Sequence, residues 1–170
     1  SAATAARLTA QGWTVTDGTV HQVGGLRVLG DTDPDRTTAT GTTARGQEDV
    51  QALGARLAAT SCRAPTDVVL VHQPAAFGPL AATGCAPLLI GGHLHSEQGL
   101  SATAGGRGTV LELVAGASKG GTSIGAVTED SYAHVLSFSR DGTLLAWRTV
   151  VLHPDASVTV TTWQDVPTPS

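Results

Sequence analysis

Two residue types are missing from this chain of 170 residues: it contains no methionine and no asparagine. A chain without methionine does not begin at its own start codon, so we expect the parent protein to contain residues before Ser1. The absence of asparagine excludes every catalytic or metal-binding motif that requires that side chain. Neither absence limits the chemistry that histidine and carboxylates can supply.

Charge is also scarce. Charged residues make up 14% of the chain, the net charge is −4 at pH 7, and Lys119 is the single lysine. Because no basic run occurs, we expect no binding to a nucleic-acid backbone. No stretch approaches the roughly 18–20 apolar residues of a membrane span, and the alanine-rich start lacks the basic flank and apolar centre of a signal peptide.

The length and the 41% hydrophobic residues predict one domain. We place it at residues 1–166, and Pro167 and Pro169 predict a frayed tail over residues 167–170.

Apolar periodicity and turn residues predict the order of the elements. Strands are expected at residues 13–16, 19–23, 26–29, 67–71, 87–90, 109–115, 132–139, 143–152 and 157–163. Helices are expected at residues 47–60 and 75–83, and a loop at residues 32–46. The strands at 67–71 and 87–90 flank a helical crossover, which predicts a parallel pair. The fold class is therefore α/β (α+β), with a mixed sheet, two short helices and a C-terminal β meander.

The two cysteines, Cys62 and Cys85, each lie a few residues before one of the parallel strands. That placement puts both at the same edge of the sheet. A disulfide would close a loop of about 23 residues and stabilise the fold by about 3 kcal/mol, as expected of an extracytoplasmic protein. Two unrelated buried thiols remain the alternative, and the spacing is too wide for a zinc knuckle.

Three histidines follow the parallel strands. His72 begins the triplet His-Gln-Pro at residues 72–74, and His93 and His95 end the Gly-Gly-His-Leu-His segment at residues 91–95. Neighbouring parallel strands end at the same edge of a sheet, so the imidazoles should converge there. On an extended segment His93 and His95 would project alike and could bind neighbouring ions. Imidazole is a common ligand of zinc, iron and manganese, although each histidine alone is compatible with an ordinary surface or packing role.

These motifs resemble the C-terminal half of the calcineurin-like metallophosphoesterases. In that family one strand ends in a histidine followed by a proline, as residues 69–74 do here, and the next ends in Gly-His-x-His, as residues 92–95 do here. Ser-Glu-Gln at residues 96–98 stands where many members have Gly-Gly-Gln. Residues 12–15, 23–30 and 33–34 resemble the stretch that leads to an Asp-Pro turn in the family.

The resemblance implies a partial metallophosphoesterase-like β-sandwich and a dinuclear centre of manganese, iron or zinc. His72 and His93 would bind one ion, His95 would bind the other, and the substrate of the complete protein would be a phosphoester. The family's Asp-x-His, Gly-Asp-x-x-Asp and Asn-His-Asp/Glu motifs do not occur here. The isolated chain is therefore expected to be inactive, with Asp31 and Asp33 forming a turn around Pro34.

A missing N-terminal half would leave one sheet edge exposed, which predicts a homodimer or a strand exchange through that edge. The location would be extracytoplasmic, or membrane-associated through the preceding segment, and a cytoplasmic location remains open. The alternative function is a secreted β-rich binding or structural module whose histidines do not converge.

The remaining candidates have structural interpretations. His21, His134 and His153 lie in strand or turn contexts, and the three tryptophans, Trp13, Trp147 and Trp163, are expected to pack in the core or on a sheet face. The glycine-rich loop around Lys119 lacks the order of a phosphate-binding P-loop.

Overall fold

The computed structural model describes residues 2–38, 41–116 and 128–169. The helices are α1 (Ala2–Ala10), α2 (Val50–Arg63) and α3 (Phe77–Thr83), and a 3₁₀ turn at Pro74–Ala76 precedes α3. The strands are β1 (Val20–Val23), β2 (Leu26–Gly30), β3 (Asp35–Thr38), β4 (Gly41–Ala44), β5 (Val68–Leu70), β6 (Leu88–Gly91), β7 (Gly99–Gly105), β8 (Gly108–Val114), β9 (Ser131–Phe138), β10 (Leu144–Leu152), β11 (Val158–Val160) and β12 (Gln164–Asp165). Lys119 and most of its loop lie outside the described residues.

A six-stranded mixed sheet forms the centre of the molecule, in the order β1-β2-β5-β6-β8-β7. Strands β2, β5, β6 and β8 run parallel, whereas β1 and β7 are antiparallel edge strands. Leu70 at the end of β5 pairs with Ile90 near the end of β6. The mixed α/β class is confirmed, and the segments that follow β5 and β6 emerge side by side.

The central sheet is covered on both faces. Leu29, Val69 and Leu89 belong to one cluster with α2 and α3, and the residue before each of them belongs to a second cluster on the other face. The second cluster includes Leu144 of β10 and Leu136 of β9. Strands β9, β10, β11 and β12 form a second sheet with β10 at its centre. The fold therefore has three layers: helices, central sheet and second sheet.

Helix α2 begins at an N-cap, because the Asp49 carboxylate accepts a hydrogen bond of 2.8 Å from the backbone N–H of Ala52. Its buried side includes Leu53 and Leu57, which are 2% and 0% exposed. Gly54 lies on the same side, in close contact with the carbonyl oxygen of Ala76 in the 3₁₀ turn. This close approach fixes the segment that connects β5 with α3 against α2.

Cys62 and Cys85 form a disulfide in the structure, with their Cα atoms 5.0 Å apart. The bond joins the last turn of α2 to the residues before β6. A cross-link that closes a loop of this length stabilises the fold by about 3 kcal/mol in the chain-entropy model. The loop that the disulfide closes contains β5 and His72, so the bond constrains the segment that carries His72.

Several sequence-based boundaries were wrong. Residues 2–10 form a helix that was not expected from the sequence pattern, and its alanine, leucine and arginine residues have high helix propensity. Residues 13–16 are not a strand, and Trp13 is exposed. The loop expected at residues 32–46 contains the hairpin of β3 and β4, and β7 was missed. The described ranges therefore contain three α-helices where two were predicted.

Residues 166–169, at the predicted frayed tail, have no regular secondary structure. None of the helices in the described ranges has the length and apolar character that crossing a bilayer requires.

The contact between α2 and the 3₁₀ turn predicts different effects on stability for the same glycine-to-alanine substitution at two helical positions. A Cβ atom at Gly54 would overlap the Ala76 carbonyl oxygen, whereas a Cβ atom at Gly78 of α3 would meet nothing within 4 Å. We expect Gly54→Ala to lower the free energy of unfolding by about 1–3 kcal/mol. Gly78→Ala should leave it unchanged or raise it by up to about 1 kcal/mol. Urea unfolding measures both, and equal effects would contradict this packing.

Candidate metal centre

The candidate site lies where β5 and β6 end. Beyond the last paired residues, the Val71 N–H donates to the carbonyl of Ile90 at 3.0 Å, and the Gly92 N–H donates to the carbonyl of His72 at 3.0 Å. The backbone pairing therefore extends into both segments that carry histidines. The His72 carbonyl accepts the bond from Gly92, and His93 directly follows Gly92. The two histidines therefore lie on neighbouring, hydrogen-bonded segments of backbone.

His93 and His95 do not lie on an extended segment, which corrects the sequence expectation. Their φ angles are 66° and 54°, in the left-handed region, and the Leu94 N–H donates to the carbonyl of Gly92 at 2.7 Å. Left-handed residues interrupt the alternation of side chains on which the extended interpretation depended. The two imidazoles therefore do not project alike as neighbours on a strand would.

The imidazoles of His72 and His93 face each other. Nε2 of His72 lies 3.1 Å from Nδ1 of His93, and the rings meet edge to face with centroids 5.0 Å apart. Two imidazole nitrogens bound to one zinc ion at ~2.0–2.1 Å, at angles of roughly 90–110°, lie about 2.9–3.4 Å apart. The observed separation is thus compatible with two ligands of one ion, and also with a hydrogen bond whose direction depends on the tautomers.

A carboxylate lies beside this pair. Oδ2 of Asp33 is 3.7 Å from Nε2 of His72. The Gln73 side-chain amide donates to Oδ1 of Asp33 and to Oδ2 of Asp35, both at 2.9 Å. The Asp35 N–H also donates to Oδ1 of Asp33, at 3.1 Å, as expected for a turn around Pro34. Sequence reasoning found the turn but missed that it faces His72.

The other residues considered in the sequence, Asp31 and His95, do not join His72 and His93. Asp31 forms an ion pair with Arg56 at 2.9 Å. In the part of the chain that the structure describes, no group of three or more His, Cys, Asp or Glu side chains is arranged to hold a metal ion. His72 and His93 are therefore brought together, and His95 does not join them in such a group.

Three other histidines each contact a carboxylate. His21 contacts Asp17 at 2.9 Å, His153 contacts Asp130 at 2.9 Å, and His134 contacts Glu97 at 3.2 Å. The sequence offered no signal for these pairs, since their partners are 4, 23 and 37 residues away. The pair of His134 and Glu97 is distinct because Glu97 lies in the loop that also carries His93 and His95.

A cavity of about 700 Å³ lies at the opposite end of the parallel strands. Its lining includes Arg27, Asp67 and Asp141, together with apolar side chains from both sheets and Pro167 of the tail. The Arg27 side chain donates to both carboxylate oxygens of Asp67, and the Arg27 backbone N–H donates at 2.7 Å. Hydrogen bonds from Arg27 hold the pKa of the buried Asp67 carboxyl below its ordinary value of 3.8, despite burial and the nearby Asp141.

A scan of protein-family models, a search of curated proteins and a search of solved structures each found no match to this chain.

The lowered pKa of Asp67 predicts how stability depends on pH. A carboxyl whose pKa is lower in the folded state contributes stability above the unfolded value, and that contribution is lost as the pH falls through the folded value. We expect Asp67→Asn to lower the free energy of unfolding by about 1–3 kcal/mol at pH 7. The difference from the unmodified chain should shrink as the pH falls below 3.8.

Urea unfolding at several pH values measures this effect. The control is Asp165→Asn, which alters an exposed carboxylate on β12 and should change stability by less than about 0.5 kcal/mol. A difference for Asp67→Asn that stays constant down to pH 2 would contradict the assignment.

Proposed function

We propose that this chain is the C-terminal portion of a dinuclear metal-dependent phosphoesterase with a metallophosphoesterase-like sandwich. The observation that carries the proposal is the 3.1 Å separation of the His72 and His93 nitrogens at the ends of adjacent parallel strands. The motifs at residues 72–74 and 92–95 support the same interpretation. In it His72 and His93 hold one metal ion and His95 belongs to the second.

The donor chemistry suits manganese, iron or zinc, since imidazole binds all three. Such a metal pair supplies an activated water and charge stabilisation for in-line attack on a phosphoester. The chain's own residues supply geometry. His72 and His93 offer ring nitrogens on backbone that is hydrogen-bonded on both sides, and Gln73 ties the segment after β5 to the carboxylates of Asp33 and Asp35.

The proposal makes this chain one part of the catalytic centre. A dinuclear site needs a bridging carboxylate to hold two cations close together against their repulsion, and the family's motif for that residue does not occur here. Asp33 lies beside His72, but its Oδ1 already accepts hydrogen bonds from Gln73 and from the Asp35 backbone. The isolated chain is therefore expected to bind metal weakly and not to hydrolyse phosphoesters.

Location and assembly follow as parts of the same proposal. The disulfide between Cys62 and Cys85 favours an extracytoplasmic protein. Strands β1 and β7 present the edges of the central sheet, and either could pair with a second copy of the chain or with another segment. The alternative, a secreted β-rich binding or structural module whose histidines do not converge, is disfavoured by the meeting of His72 and His93 and favoured by the failure of His95 to join them.

Metal binding tests the proposed ligands directly. We expect the chain to bind one zinc ion, and His72→Ala or His93→Ala to weaken binding at least about tenfold, because each removes one of two facing imidazoles. His21→Ala is the matched control and should leave the affinity unchanged. Titration calorimetry with zinc measures the unmodified chain, these three variants and the double variant that lacks both His72 and His93. Binding that survives removal of both His72 and His93 would contradict the assignment.

Activity tests whether the site is incomplete. We expect the isolated chain, with manganese or zinc, to hydrolyse an aryl phosphate no faster than buffer containing the same metal, because the bridging carboxylate is missing. A rate well above this background that is abolished by His93→Ala would show that the chain completes its own site. That result would reject the interpretation of this chain as one part of the catalytic centre.

A further inference from the structure

The loop that carries His93 and His95 also contacts the second sheet. Glu97 belongs to this loop, which joins β6 to β7, and its Oε1 lies 3.2 Å from Nε2 of His134 on β9. The His134 side chain is 3% exposed, whereas that of Glu97 is 26% exposed. One hydrogen bond thus connects the candidate ligand loop to a buried position in the neighbouring layer.

Histidine is a costly residue at this buried position. Nδ1 of His134 is buried and has no hydrogen-bond partner among the described residues, and an unsatisfied buried polar atom lowers stability. The ring also packs beside Trp147, with centroids 5.9 Å apart, a contact that an apolar ring could make equally well. Packing alone therefore does not explain the histidine, and the bond from Nε2 to Glu97 gives it a specific role.

The backbone around Glu97 leaves this residue little freedom. A Cβ atom at Gly116 would overlap the Glu97 backbone, and a Cβ atom at Gly99 would lie 3.4 Å from Oε1 of Glu97 and 3.3 Å from the Trp147 ring. The Gln98 N–H donates to the carbonyl of Val114 at 3.2 Å. These contacts hold the far end of the loop, as the bond from Gly92 to His72 holds its near end.

We propose that Glu97 and His134 are a pair of positioning residues that fasten the loop to the second sheet and thereby hold His93 opposite His72. The pair lies outside the ligands themselves. The part of this inference that concerns metal affinity rests on the proposed function, whereas the part that concerns the loop does not. In this arrangement the second sheet organises the metal site without contributing a ligand.

Two measurements test the pair. Hydrogen exchange of the Leu94 and Gln98 amides, both of which donate hydrogen bonds, reports on the loop without metal. Zinc affinity reports on the site. We expect Glu97→Ala and His134→Phe each to speed exchange about fivefold, from the loss of one hydrogen bond. Both should weaken zinc binding about tenfold, as for other residues that orient metal ligands.

Two further variants separate positioning from general stability. Glu97→Gln should behave like the unmodified chain in both measurements, because its amide oxygen can still accept the Nε2 proton of His134. His21→Phe breaks another histidine–carboxylate pair, on edge strand β1, and should change neither loop exchange nor zinc affinity. If His134→Phe fails to fold, Glu97→Ala decides the question, since Glu97 is partly exposed.

The outcomes distinguish the two proposals. Unchanged exchange in Glu97→Ala would overturn the positioning role, whether or not zinc binds. Faster exchange with unchanged zinc affinity would also overturn it, because the loop would then move without affecting the ligands. Faster exchange in a chain that does not bind zinc would support the fastening of the loop and contradict the assignment of His72 and His93 as metal ligands of this chain.

Discussion

The parallel pairing of β5 with β6 is the constraint on which the candidate site depends. Its register joins Leu70 to Ile90, and the backbone bonds beyond it join Val71 to Ile90 and Gly92 to His72. Residues that are 21 apart in the chain therefore emerge at one edge. A shift of one residue would turn the apolar side chains of β5 to the opposite faces of the sheet. Because the two faces pack against different layers, such a shift would change the neighbours of every side chain in β5, and the register as it stands brings His72 to His93.

The sequence predicted those parts of the fold that burial determines. Strands β5, β6, β8 and β10 have apolar runs because at least one face is covered, and these were found to within a few residues. The hairpin of β3 and β4 was missed because its residues are polar and threonine-rich, so no alternation of apolar and polar residues marks it in the sequence. Strand β7 was missed for a related reason: its glycines and alanines give little apolar contrast.

The site was predictable only in part, for a different physical reason. His72 and His93 meet because β5 and β6 are parallel neighbours. The apolar runs and the helical crossover between them predicted that pairing from the sequence. The orientation of His95 depends on left-handed φ angles at two non-glycine residues, which no sequence pattern in the chain signals. The carboxylates beside His72 and His134 are those of Asp33 and Glu97, which lie 39 and 37 residues away in the chain. Long-range contacts of this kind depend on the whole topology and are not local properties.

The two ends of the parallel strands differ in how their polar groups are satisfied. At the amino ends Asp67 is buried, and Arg27 donates to both of its carboxylate oxygens, so the large cavity there is lined by a charge pair already matched. At the carboxyl ends the His72 side chain is 49% exposed, and its polar contacts with described residues are another imidazole and a carboxylate 3.7 Å away. A ligand gains most where donors are preorganised but not saturated. The proposed cation site therefore lies at the carboxyl ends, whereas the cavity of about 700 Å³ lies at the other end.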